Sequence, residues 1–250
     1  MRSEAPSAHS LRQPALISKA TELQTYLQTL SETELAKTMH ISAELARKTH
    51  ATIAAWGTSA KEQTVALDSF VGDIYSGLQV STFSKDDREY ADKTLRILSG
   101  LYGIIRPLDG ICPYRLEMGY RLPDSRYRNL YTFWGESIAQ TLPSKGIIVN
   151  ASSVEYSKTI TPFVDPARVI IPKFLTIDPK TKEPTFKVVH AKIARGAFAR
   201  WLIQQRVTNI KQCKEFAEIG YRYNAALSTP QEPVFVCQAF GGIGLSMRLR

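Results

Sequence analysis

The chain has 250 residues, 44% hydrophobic and 22% charged, with 32 Lys and Arg against 23 Asp and Glu for a formal net charge of +9. That balance suits a globular protein able to bury a sizeable core, and no apolar run approaches the ~20 residues that a membrane-spanning helix needs. Three scattered cysteines (Cys112, Cys213, Cys237) argue against a disulfide framework, four scattered histidines show no metal-ligand spacing, and the opening MRSEAPSAHS lacks the apolar stretch of a secretory signal. The expectation is a cytoplasmic monomer with no metal site, no cofactor and no membrane association. Its positive charge points to an anionic partner, nucleic acid or a phosphorylated small molecule.

Residues 1–15 carry no clear period and read as an extended arm. Ala20–Leu30 repeats apolar residues at helical spacing. Ser31 then opens S-E-T-E, a capping-box spacing that starts a short helix over Glu32–Met39. After His40 and Ile41, Ser42 is a natural N-cap for a longer helix that runs to Trp56 and ends at Gly57. The pair makes a helical hairpin over residues 31–56. Two readings fit it: a simple packing unit, or a helix-hairpin-helix-like element holding a phosphate with Lys37, His40, Ile41, Ser42, Arg47 and Lys48.

Val65–Gly77 reads as a strand or apolar segment ending in a polar turn. Ser84 caps a strong helix, whose apolar side (Ala91, Leu95, Leu98, Leu101) carries the chain into LRILSGLYGIIRPLDGICPYRLEMG, Leu95–Gly119. This stretch mixes apolar residues and prolines with Arg106, Asp109, Arg115 and Glu117. It is either an ion-paired staple or the floor of a ligand cleft. Leu130–Leu142 reads as helical, and Gly146–Ala151 as a buried strand with Asn150, Ser152, Glu155, Tyr156 and Lys158 at its exit. Further strands are expected at Val169–Ile171, Phe174–Ile177 and Thr185–His190, the last two joined by the hairpin tip DPKTKEP. A helix follows over Ala191–Val207, with Lys192, Arg195 and Arg206 within about one sixth of a turn. No acidic residue lies between Lys187 and Lys214. A short helix over Lys211–Glu218, a strand at Val234–Cys237 and a Gly-rich, unstructured tail over residues 239–250 complete the reading. The whole is one compact α+β domain of residues 1–250, with a mixed sheet and a helical N-terminal portion.

Six stretches, in order along most of the chain, resemble the YaaA family of peroxide-stress proteins: VGDIYSGL (Val71–Leu78), LRILSGLYGIIRPLD (Leu95–Asp109), PYRLEMG (Pro113–Gly119), LYTFWG (Leu130–Gly135), VNASSVEYSK (Val149–Lys158) and AKIARGAFAR (Ala191–Arg200). The resemblance implies a YaaA-type α+β fold and a cytosolic protein that limits peroxide damage when unincorporated iron is high. It also implies DNA binding through an electropositive cleft and the helix-hairpin-helix element. Two departures stand out. The family's opening hydrophobic strand and Ser-Pro-Ala-Lys segment are not matched, which leaves one sheet edge and one cleft lysine without a counterpart in this reading. His190 occupies a position where the family has another aromatic residue.

On this reading Arg96, Arg106, Arg115, Lys158, Lys192, Arg195 and Arg200 line the cleft, and Tyr75, Tyr102, Tyr114, Trp134 and Tyr156 offer stacking surfaces. Nothing reads a base sequence, so selectivity for DNA structure is expected. The alternative is an enzyme acting on a nucleotide or nucleic-acid base in the same cleft, with Asp73, Glu117, Glu155, Lys158 and Lys192 as candidate acid–base or nucleophilic groups. Direct iron storage is disfavoured by the scattered histidines and cysteines.

Overall fold

The computed structural model describes residue 1 and residues 11–57, 63–244 and 246. Helices are α1 (Ile17–Leu27), α2 (Glu32–Met39), α3 (Ala43–Ala55), α4 (Ala66–Ser69), α5 (Asp73–Leu78), α6 (Lys85–Thr94), α7 (Leu130–Trp134), α8 (Val154–Ser157) and α9 (Val188–Gln204). Strands are β1 (Thr64–Val65), β2 (Ile97–Ser99), β3 (Gly103–Ile105), β4 (Gly110–Ile111), β5 (Ile148–Val149), β6 (Val169–Ile170), β7 (Lys173–Ile177), β8 (Pro184–Thr185), β9 (Tyr221–Tyr223) and β10 (Val234–Cys237). The mixture of α and β is as expected. Contacts group the chain into two compact units, the first built from Met1–Ser69, Leu95–Ser144 and Ser153–Phe163, the second from Phe70–Thr94, Lys145–Ser152 and Val164–Arg250.

In the first unit the local capping signals hold. Ser31 accepts the Glu34 N–H while the Glu34 carboxylate accepts the Ser31 N–H, and Ser42 accepts the Leu45 N–H at the start of α3. Helices α2 and α3 are therefore joined by a three-residue turn, with His40 in the left-handed region at φ 52°. The stretch from Leu95 departs from expectation. The helix stops at Thr94, and β2 pairs antiparallel with β3, Ile97 opposite Ile105. Isoleucines on both strands favour this pleated pairing. Gly103, at φ +70°, closes the turn where a Cβ would lie 2.9 Å from the Trp134 ring. Leu23, Leu27, Leu35, Leu101, Tyr102 and Trp134 are fully buried in this unit.

The second unit is built on a mixed sheet of order β8-β7-β10-β9, in which β10 runs parallel to β7 and antiparallel to β9. The expected hairpin tip is present, with Thr176 opposite Thr185. Helix α9 starts at Val188, however, so most of the strand expected over Thr185–His190 is its first turn. Its apolar face (Ala191, Ala194, Ala197, Phe198) packs with Phe174, Phe216, Tyr221 and Phe235 into an aromatic core. The segment Val65–Gly77, read as a strand or apolar segment ending in a polar turn, instead carries the end of β1, then α4 and most of α5. This helix can lie on α9 because two glycines face each other's backbone: a Cβ on Gly77 would stand 1.9 Å from the Ile193 carbonyl oxygen, and one on Gly196 1.8 Å from that of Ile74. His190 stacks face to face on Phe240 at 3.9 Å and hydrogen-bonds Thr176, so the imidazole serves as a flat ring at that position.

Of the arm over residues 1–15, residues 2–10 lie outside the described ones, while Arg12 pairs with the Asp109 segment. The tail is not unstructured throughout. Residues 239–244 and Ser246 are placed, with the Ser246 N–H and hydroxyl donating to the Asp73 carboxylate at 3.0 and 2.7 Å. Residues 245 and 247–250 lie outside the described ones.

Candidate functional site

The first unit holds a cleft of 680 Å3 lined by Glu34, Lys37, Thr38, His40, Gly119, Tyr120, Arg121 and Pro123. It is of the size that takes a nucleotide-scale ligand. The turn of the helical hairpin forms one wall and the end of the Leu95–Gly119 stretch the other. Lys37 and Arg121 are exposed and make no side-chain hydrogen bond or ion pair among the described residues. Among the described residues that line the cleft, Glu34 is the one acidic side chain. Its carboxylate is held below its ordinary range by the Ser31 backbone and side-chain hydrogen bonds, so it is committed to capping α2. Arg47 is exposed on α3, and Lys48 is engaged by Glu44 at 2.6 Å one turn earlier.

Gly119 and Tyr120 also belong to a cluster of phenols, carboxylates and Arg115. The Gly119 N–H donates to Glu155 Oε1 at 2.7 Å, and a Cβ at position 119 would stand 3.2 Å from that same oxygen. Glycine therefore allows the carboxylate to sit against the main chain. Burial raises the Tyr156 hydroxyl pKa, with Tyr114, Glu155 and Glu117 adding to it. Burial and then Glu117 raise that of Tyr120, against the pull of Arg115, and burial and then Glu155 raise that of Tyr131. All three are neutral phenols at physiological pH, able to donate and to stack. The Tyr114 hydroxyl shares a hydrogen bond with Ser99 Oγ at 2.7 Å. Thus two segments distant in sequence, one with Tyr114, Arg115 and Glu117 and the other with Glu155 and Tyr156, are brought together.

Other expected site residues have different work. Asp109 is 1% exposed; it accepts Arg12 Nε at 2.6 Å and the Arg106 N–H at 2.8 Å, which makes the ion-paired staple the correct reading of that part of the loop. Arg96 turns back onto the Leu95 carbonyl, and with Arg106 borders a small cavity beside Asp109. Tyr102 and Trp134 are core residues and offer no stacking face. The Tyr102 hydroxyl accepts from Trp56 Nε1 and the Cys112 N–H, and Trp134 Nε1 donates to the Gly100 carbonyl. Lys158 is exposed with no side-chain partner among the described residues.

In the second unit, Lys192 is exposed on α9 and Arg195 is half-buried, and neither has a side-chain partner among the described residues. Burial lowers the Arg195 pKa. Arg200 departs from expectation: it is 9% exposed and donates to the Gly77 carbonyl and to Glu218 at 2.6 Å, so it binds the fold together. Arg206 lies past the end of α9, paired with Asp87 at 2.8 Å and seated over Tyr90. Asp73 is buried and capped by Ser246, and Tyr75 stacks on Phe70, so neither is presented as a catalytic or stacking group. Among the described residues no group of three or more His, Cys, Asp and Glu could hold a metal ion. No helix among them is long and apolar enough to cross a membrane. Arg121 and Tyr120 directly follow the Leu95–Gly119 loop and carry no sequence signal that marks them, and nothing local marks the contact of Gly119 with Glu155.

Comparison with known proteins places these features in a family. The chain matches the family described as peroxide stress protein YaaA over residues 1–227. It is 57% identical over 248 residues to a UPF0246 protein of Salinispora tropica, covering 99% of this chain and 94% of the relative. A UPF0246 protein of Burkholderia lata is 39% identical over 241 residues, 90% of each chain, and one of Ralstonia pickettii 38% over 232 residues, 89% of each. The chain belongs to the YaaA family of peroxide stress proteins.

Proposed function

We propose that this protein acts in peroxide stress by binding DNA through phosphate contacts and shielding it from damage driven by unincorporated iron. The observation that carries the reading is the cleft at the hairpin turn. Lys37, His40 and Arg121 line it, and the one carboxylate among its described lining residues is already used as a helix cap. Cations without acidic partners among the described residues, beside the start of a 13-residue helix, suit a phosphate backbone. Lys192 and Arg195 on α9 supply a second basic patch. The contacts available are to backbone charge, so structure of the DNA and not a sequence decides affinity.

The test is fluorescence anisotropy with duplex, single-stranded and bubble DNA at two salt concentrations. Binding should weaken steeply with salt, and Lys37→Ala or Arg121→Ala should each reduce the slope of log K against log salt by about one. The pair Lys192→Ala/Arg195→Ala should weaken binding to every oligonucleotide alike. A companion assay follows nicking of plasmid by ferrous iron and peroxide with and without the protein. Binding that ignores salt, or that survives all four substitutions unchanged, would refute the reading.

A further inference from the structure

The cleft at the hairpin turn has a size as well as a charge. At 680 Å3 it is about 9 Å across if compact, room for a nucleotide but not for a duplex, whose major groove alone is ~12 Å wide. It is lined by Lys37, Thr38 and His40 from the hairpin and by Tyr120, Arg121 and Pro123 from the irregular segment after Gly119. Lys37 and Arg121 bring two positive charges, and His40 adds a ring N–H. Among the described lining residues the opposing charge is Glu34 alone. Its Oε2 accepts the Ser31 N–H at 2.9 Å and the Ser31 hydroxyl at 2.7 Å, so it completes the start of α2. A backbone phosphodiester carries one negative charge and two free oxygens, whereas a phosphate monoester at a strand end carries close to two charges and three free oxygens.

We infer that this cleft takes the terminal phosphate monoester of a DNA strand, at a 5′ or a 3′ end, and so directs the protein to broken strands. The step rests on the DNA-binding reading above and deepens it by naming which phosphate enters. Two exposed cations match the second charge that only a terminal phosphate carries, and an internal phosphodiester in the same place leaves one of them unneutralised. The planar fork of Arg121 can hold two phosphate oxygens at once, and Lys37 offers a point charge for the third. A strand end also needs only one way into a cleft of this size, whereas an internal phosphate needs the strand to enter and to leave. Tyr120 and Pro123 supply apolar surface beside the cations for the sugar and base attached to that phosphate. Hydroxyl radical, the product of ferrous iron and peroxide, breaks strands by destroying a deoxyribose, which leaves phosphate-bearing ends.

The experiment measures binding of one single-stranded sequence in four forms: linear with a 5′-phosphate, linear with a 3′-phosphate, linear with hydroxyls at both ends, and closed into a circle that has no end. At least one phosphorylated form should bind about tenfold tighter than the hydroxyl-ended strand, the factor that one charge-assisted contact supplies. The form that carries the preference identifies the end that is held. The double variant Lys37→Gln/Arg121→Gln, changed only at exposed side chains, should bring the four forms within about twofold of one another. The wild-type comparison needs no variant to fold. Phosphorylated and hydroxyl-ended strands that bind alike overturn the inference and leave DNA binding standing, whether or not the circle differs from them. A preference that the double variant retains overturns the assignment to this cleft. Failure to bind any form overturns both readings.

Discussion

The contact between α5 and α9 is the place where one methyl group should matter most. Gly77→Ala places a Cβ 1.9 Å from the Ile193 carbonyl oxygen and 2.9 Å from the Ala197 nitrogen; Gly196→Ala places one 1.8 Å from the Ile74 oxygen and 2.7 Å from the Leu78 nitrogen. Both obstacles are backbone, so no side chain can rotate away, and the helices must separate by more than an ångström. Alanine is favoured over glycine inside an isolated helix by ~1 kcal/mol. Overpacking a tight core costs ~1–3 kcal/mol and more where the backbone itself must move. The clash wins, for a net loss of ~2 kcal/mol per substitution. At this chain length that lowers the melting midpoint by ~4–8 °C. The double variant should fall short of the sum of the single effects, because one separation of the helices relieves both contacts. Calorimetry or urea titration of the four proteins measures this. An alanine variant as stable as wild type, or a strictly additive pair, would refute the close approach of these helices.

Other outcomes are open to direct measurement. Asp109→Ala should destabilise the protein by ~2–3 kcal/mol, because it strands the Arg106 N–H and the Arg12 guanidinium around a buried acceptor. Arg12→Ala should cost less than Asp109→Ala, since Arg12 is 43% exposed and Asp109 keeps the Arg106 N–H; equal losses in urea titrations would contradict this asymmetry. The thiols are built to be inert: burial pushes Cys213 up to about 11 and raises Cys237 as well, and Cys112 is 3% exposed. Thiol reagents and peroxide should leave all three unmodified until the chain is unfolded, and rapid stoichiometric labelling of native protein would exclude that view. Hydrogen bonds from Lys187 and from the Lys180 and Thr181 N–H groups lower the Asp178 carboxyl from 3.8 to about 2. Its contribution is present above pH ~4 and lost as the pH falls through ~2, because the unfolded chain takes up the proton first. The stability difference between wild type and Asp178→Asn should therefore vanish across that window, and a difference constant from pH 5 to 2 would count against it.

What could be read from the amino acids alone was whatever depends on near neighbours. Ser31, Ser42 and Ser84 cap helices because the N–H groups they accept are three residues away. Family membership was legible for a related reason, since six stretches keep their order along one chain. The Leu95–Leu101 apolar spacing suits a helix and a strand equally, and only the strand partner at Gly103–Ile105 decides between them. Charge misled in the same way. The absence of acidic residues between Lys187 and Lys214 suggested open cations, yet Arg200 finds Glu218 and Arg206 finds Asp87, partners supplied by other segments. The cleft itself joins Lys37 and His40 to Gly119 and Arg121, and Glu155 reaches Gly119 from a third segment. Composition and local order thus determined the starts of the helices capped by Ser31, Ser42 and Ser84, the basic character and the family. Tertiary structure decided which cations are left open and which carboxylate is held in place, because a charge is neutralised by whatever stands within a few ångströms of it, whatever its place in the chain.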